Sequence, residues 1–174
     1  MGGSTPSAEG PFRRLRRLVR YGLLGALVFA LKMAMAGLPN IEPVSLTVML
    51  AAVCFGRGSL AAVYVYVGLE MAVWGPGVWN LAYLYVWALL FFLARAFRRV
   101  ETPIFWAGLS GCFGLMFGLL CAPVMGLMGG WAAALSWWLA GIPMDLLHGA
   151  GNFVMALVLF KPMRRVMERL EKEG

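Results

Sequence analysis

Three polar side chains in an apolar C-terminal segment have the spacing to act together. Asp145, His148 and Asn152 lie at positions i, i+3 and i+7, so on a helix they share one face. Ionisable groups inside an apolar span are costly, and each therefore indicates a candidate site. Three interpretations stay open for this face: ligand binding, a hydrogen-bond network between helices and a metal site. The metal site is the weakest of the three, because one histidine with scattered carboxylates does not match any strict ligand spacing.

Further polar residues are predicted to lie at the same depth, at the ends of apolar runs or in the turns between them. They are Lys32, Asn40, Glu42, Glu70 and Asn80. The opposite halves of the apolar runs contain almost nothing comparable. This distribution predicts a pocket that opens to one side, with no polar path through the protein. Whether Lys32 belongs to the pocket stays open.

Tryptophans crowd the same end of the apolar runs. Trp131 and Trp138 fit an aromatic belt at a membrane surface. Trp74 and Trp79 flank a glycine-rich turn close to Glu70, and they are predicted to be pocket walls. Aromatic walls with few fixed polar groups are typical of small-molecule sites.

Tyr83 and Trp87 lie one and two helical turns beyond Asn80 and are predicted to extend this wall. The predicted binding residues are therefore Asn40, Glu42, Glu70, Trp74, Trp79, Asn80, Tyr83, Trp87, Asp145, His148 and Asn152.

Motifs for enzymatic chemistry are not found. The sequence contains no nucleophile elbow, Walker loop, zinc motif or glycine-rich phosphate cradle. Its three cysteines have no paired spacing and predict neither a disulfide nor a metal site. We therefore expect no enzyme activity and no cofactor.

Composition indicates which elements position these residues. The chain is 61% hydrophobic and only 13% charged, whereas soluble domains carry about 25% charged residues. We predict an all-α polytopic membrane protein with six transmembrane helices in residues 18–163. A disordered basic tail (1–17) precedes this domain, and a cytoplasmic tail (164–174) follows it. The predicted spans are 18–36, 44–56, 59–74, 80–96, 103–125 and 142–160.

The basic residues predict the orientation. The loops at 56–58 and 97–102 both contain arginine, whereas those at 37–43, 75–79 and 126–140 contain neither lysine nor arginine. Because cytoplasmic loops are enriched in these residues, we predict that both termini are cytoplasmic and that the three loops without lysine or arginine are external. The net charge of +7 is thereby explained by topology, and nucleic-acid binding is not expected.

The first span has alanine at every fourth position: Ala26, Ala30 and Ala34. Small residues at this period allow another helix to approach closely. That helix could belong to this chain or to a separate membrane partner.

Several segments together resemble the substrate-binding S component of energy-coupling factor (ECF) importers. They are the basic N-terminus, the alanine stripe, LPNIEPVS at 38–45, GIPMDLLHG at 141–149 and LFKP at 159–162. The resemblance implies a six-helix protein of a prokaryotic plasma membrane that captures a vitamin-like nutrient from outside and has no enzymatic activity. It also implies a transmembrane coupling subunit, contacted through Ala26, Ala30 and Ala34, and two cytoplasmic ATPases.

The ligand within that family is left open. Three acids, Glu42, Glu70 and Asp145, face one Lys32, which favours a neutral or cationic nitrogen heterocycle such as a cobalamin precursor or a deazapurine-like base. Two other functions are also compatible with the sequence: a stand-alone secondary transporter that uses Asp145 and His148 as a proton relay, and a membrane scaffold whose polar residues only join helices.

Overall fold

The structure, a computed structural model, describes residues 10–38, 41 and 43–173. These residues are helical throughout, with short connections and no strand, which confirms the all-α prediction. The helices are α1 (Pro11–Ala34), α2 (Val44–Cys54), α3 (Leu60–Trp74), α4 (Val78–Ala96), α5 (Pro103–Leu115) and α6 (Phe117–Glu173), with a 3₁₀ turn at Arg57–Ser59.

Helix α6 consists of two antiparallel arms, residues 117–129 and 131–173. The chain reverses at Gly130, where φ is 77°, a conformation that only glycine adopts at little cost. Gly126 lies beside Ala134, and Gly118 lies beside Asp145. Residues 126–140 are therefore helical on both sides of Gly130 and do not form the predicted loop, whereas their external position stays a prediction. Alanine and leucine dominate residues 131–139, and their helix propensity outweighs the interfacial signal of the tryptophans.

Two other boundaries differ from the prediction. Helix α1 begins at Pro11, so residues 11–17 of the expected disordered tail are helical, while residues 1–9 lie outside the described part. The fifth predicted span is broken at Met116, which separates α5 from α6. This break leaves an unpaired amide near the start of α6, which becomes important below.

Helix α2 occupies the centre of the bundle. Every residue from Val44 to Ala52 is buried, and α2 packs against α4 and α6. A helix that is apolar on all sides must be surrounded by other elements. With 11 residues it is also too short, at about 1.5 Å per residue, to cross about 30 Å of hydrocarbon alone.

Arginines from several elements meet at one end of the bundle, here called the basic end. Arg20 of α1 pairs with Glu171 of α6. Arg95 donates to the carbonyl oxygen of Ala52 at 3.2 Å, and Arg164 donates to that of Val100 at 3.0 Å. The start of α1 and the end of α6 therefore lie together. The opposite end, where Trp74, Trp79 and Trp137 lie, is called the tryptophan end.

The outward faces of the long helices are apolar. Leu84 and Phe92 on α4, and Val154 and Val158 on α6, are between 45% and 62% exposed. By length and composition, α4 and the helical stretch Pro103–Lys172 could each cross a membrane. Extended exposed apolar surface is rare on soluble monomers and marks contact with lipid or protein.

Close packing of α5 against α6 gives a first stability prediction. A Cβ atom on Gly114 would lie 2.8 Å from backbone atoms of His148 and Gly149. Gly114→Ala should therefore force the helices apart and destabilise the protein by about 1–3 kcal/mol. Gly108 lies on the same helix with open space around its Cβ position, so Gly108→Ala should be neutral or stabilising. Thermal unfolding of detergent-purified variants measures both, and equal melting temperatures would contradict this packing.

Candidate functional site

Two adjacent cavities open at the tryptophan end. The first, the α4–α6 cavity, has a volume of about 500 Å³ and lies between α4 and both arms of α6. The second, the α1–α3 cavity, has a volume of about 440 Å³ and lies between α1, α3 and α4. Both volumes are in the range of small-molecule sites. Trp79 and Tyr83 line both cavities and separate them.

The α4–α6 cavity is mainly aromatic. Trp79 and Trp137 face each other across its mouth, with ring centroids 6.1 Å apart. Deeper in, Tyr83 packs edge-on against Phe117 at 6.2 Å. Asp145 and His148 contribute a carboxylate and an imidazole to the wall. A planar ring could stack here with few polar contacts to orient it.

Asp145 closes the break between α5 and α6. Its two carboxylate oxygens accept hydrogen bonds from the backbone N–H of Gly118, at 2.9 and 3.1 Å. That N–H lies in the first turn of α6, where amides lack a partner within the helix, and where a negative charge is favoured. A Cβ atom on Gly118 would lie 2.5 Å from the carboxylate, so glycine is required for this approach.

His148 has no comparable structural bond. Its side chain is 3% exposed, and its ring packs edge-on against Phe117 with centroids 4.8 Å apart. Within the described residues, its buried Nε2 has no hydrogen-bond partner. A buried polar atom without a partner is costly, and in a cavity wall it is a natural contact point for a ligand.

The α1–α3 cavity contains an ion pair. Lys32 Nζ lies 3.0 Å from Glu70 Oε2 and also contacts the rings of Tyr66 and Tyr83, at 5.8 and 5.6 Å from their centroids. Lys32 therefore lines a cavity. This answers the question, left open by the sequence, of whether Lys32 belongs to a pocket. The pair also balances the charge of Glu70, one of the three acids on which the preference for a cationic ligand depended.

The remaining predicted residues have mixed positions. Trp74 and Asn80 line the α1–α3 cavity, where the Asn80 side chain accepts a bond from Gly77 N–H at 2.7 Å and caps α4. Trp87 is fully buried behind Tyr83, with ring centroids 5.6 Å apart. Asn152 is also buried and donates to Ser45 Oγ at 3.0 Å, joining α6 to α2. The interpretation as a network between helices fits Asn152.

Asn40 and Glu42 lie outside the described residues. Among the described residues, no group of three His, Cys, Asp or Glu side chains could hold a metal ion.

Sequence reasoning missed several cavity residues. Trp137, Phe117 and Gly118 line the α4–α6 cavity but were not among the predicted binding residues. A usable signal for Gly118 existed, because Gly111, Gly114 and Gly118 are three and four residues apart, the period of a close helix–helix contact.

The alanine stripe of α1 faces outward. Ala26, Ala30 and Ala34 are all exposed. The opposite face of α1 packs on α3 through Gly25, whose Cβ would lie 2.5 Å from the carbonyl oxygen of Ala62. Within the described residues, no helix of this chain covers the stripe, so it is available to another molecule.

No protein-family model matches the chain, and neither curated proteins nor solved structures gave a match.

Proposed function

We propose that this chain is the substrate-capture subunit of an ECF-type importer, embedded in a prokaryotic plasma membrane. The observation that carries the proposal is the aromatic α4–α6 cavity lined by His148, whose Nε2 has no hydrogen-bond partner within the described residues. The cavity binds a small nitrogen-heterocycle nutrient from outside. A coupling subunit docked on the alanine stripe and two cytoplasmic ATPases then deliver the nutrient inward.

The shape of the cavity narrows the ligand class. Trp79, Trp137 and Phe117 supply aromatic walls for a planar ring, and a volume of about 500 Å³ is in the range of drug-sized ligands. Because Lys32 balances Glu70, the need for a cationic ligand is reduced. These features favour an uncharged deazapurine-like base over a cobalamin precursor, whose macrocycle is much larger.

Two alternatives have less support. A proton relay needs titratable groups along a path across the membrane, but the buried carboxylates and imidazole of the described residues, Glu70, Asp145 and His148, all lie towards the tryptophan end. A scaffold protein does not require a cavity with an unpartnered histidine. Asn152 is nevertheless the kind of helix-joining residue that a scaffold would use.

Native mass spectrometry of the chain purified in mild detergent tests the proposal. A bound heterocycle, and co-purification with a coupling subunit and two ATPases, are expected. If the chain alone takes up the nutrient and a protonophore abolishes this uptake, the secondary transporter is favoured. The absence of any bound or bindable small molecule would favour the scaffold.

Topology gives a second prediction, based on the basic end being cytoplasmic. In a background with the three native cysteines replaced, Pro76→Cys and Leu127→Cys should react with an impermeant thiol reagent in intact cells. Arg57→Cys should react only after the cells are lysed. All three positions are exposed, and they avoid Gly130, whose positive φ would strain a cysteine. If Arg57→Cys is the only one of the three variants that is labelled in intact cells, the orientation is the reverse of the one proposed.

A further inference from the structure

The two cavities share a wall, and each is lined by one residue with a buried polar atom that has no hydrogen-bond partner within the described residues. These atoms are Nε2 of His148, which lines the α4–α6 cavity, and Oε1 of Glu70, which lines the α1–α3 cavity. Trp79 and Tyr83 stand between them and line both spaces. Trp79 is 55% exposed, so its indole is less constrained by packing than the buried rings behind it.

The chemistry of Glu70 determines what the second cavity could accept. The residue is 6% exposed, and its Oε2 is engaged by Lys32 at 3.0 Å. Its other oxygen is buried and accepts no hydrogen bond within the described part of the chain. A carboxylate oxygen is only an acceptor, so the missing partner is a hydrogen-bond donor.

Charge decides which kind of donor fits. Lys32 already neutralises Glu70, and its ammonium also lies 5.6 Å from the ring centroid of Tyr83 in the shared wall. A second ammonium group in this cavity would be repelled by Lys32. An uncharged donor, such as a hydroxyl, would complete the bonding of Glu70 without disturbing the ion pair.

We propose that the two cavities form one bipartite site, in which the α4–α6 cavity holds the heterocycle and the α1–α3 cavity holds an uncharged hydroxyl-bearing substituent that donates to Glu70 Oε1. This inference rests on the proposed function. It adds that the nutrient is a substituted heterocycle, with the substituent passing between Trp79 and Tyr83.

Three probes test this inference by titration calorimetry on the detergent-purified full chain. They are 7-deazaguanine, the same base with an N9 hydroxyalkyl chain, and the matched methyl ether, which has no donor. The hydroxyalkyl probe should bind at least about tenfold more tightly than the ether. In the double variant Lys32→Met/Glu70→Met, which leaves no unpaired charge, the hydroxyalkyl and ether probes should bind with equal affinity.

A second variant and a control test whether a lost preference results from misfolding. Glu70→Gln keeps the size of the side chain and should reduce the preference, because an amide oxygen is a weaker acceptor than a carboxylate. Arg164→Met/Glu168→Met removes an ion pair at the basic end and should leave the preference unchanged. Equal binding of hydroxyalkyl and ether probes by the unmodified chain, or a preference that survives in both Glu70 variants, would overturn the bipartite site alone. Failure of all three probes to bind would overturn heterocycle capture itself.

Discussion

Ala30→Trp is expected to abolish uptake by the proposed importer while leaving ligand binding by the isolated chain unchanged. Ala30 lies in the middle of the exposed alanine stripe on α1. Association of helices in lipid depends on close backbone approach, which small residues permit and an indole prevents. The cavities lie beyond the opposite face of α1, so their geometry should not change. Co-purification with the coupling subunit, together with calorimetry on the isolated chain, measures the two effects separately.

A matched control places the same indole on a different outward face. Leu89 on α4 is 42% exposed, and Leu89→Trp should preserve both partner association and uptake. If Ala30→Trp still co-purifies with the coupling subunit and still supports uptake, the stripe faces lipid. The ECF assignment would then lose its docking surface, although heterocycle capture would remain possible.

Helix positions could largely be predicted because they depend on local signals. Apolar runs ending at glycine or arginine predicted α3 and α4 to within two residues at each end. The Gly130 hairpin was missed because each half of residues 126–140 is too short to cross a membrane alone. The contact between Gly118 and Asp145 shows that the two arms of α6 are antiparallel. Each half of residues 126–140 therefore extends one of these arms.

The candidate site was predicted in part, for a physical reason. Helical spacing correctly placed Asp145 and His148 near each other, but spacing cannot show what a side chain bonds to. The carboxylate of Asp145 is held by the Gly118 amide, and Nε2 of His148 has no partner within the described residues. The partner of Asp145 depends on the break at Met116, which the sequence did not indicate. Under the proposed function, His148 is the main ligand contact on this face.

His148→Phe is accordingly expected to weaken ligand binding by about ten- to a hundredfold. When one hydrogen bond is lost and the ligand group stays buried without a partner, the cost is about 1–3 kcal/mol. This cost corresponds to a dissociation constant that is about ten to a hundred times higher. Phenylalanine preserves an aromatic ring against Phe117, so the wall should keep its shape. The substitution removes a buried nitrogen that, within the described residues, has no hydrogen-bond partner in the unliganded chain. The melting temperature should therefore not fall. Calorimetry with the co-purified ligand, and thermal unfolding without it, measure the two quantities.

Asn152 supplies the contrasting case on the same helical face, because its side chain bonds to Ser45 and to the backbone of Ser110. Asn152→Leu should lower the melting temperature while the folded fraction keeps its ligand affinity, and Lys161→Ala near the basic end should change neither. If His148→Phe binds the ligand as tightly as the unmodified chain, the unpartnered nitrogen has no role in capture. If the variant instead loses stability to the same extent as Asn152→Leu, the imidazole joins helices, and the whole polar face of α6 would be structural, as the scaffold alternative requires.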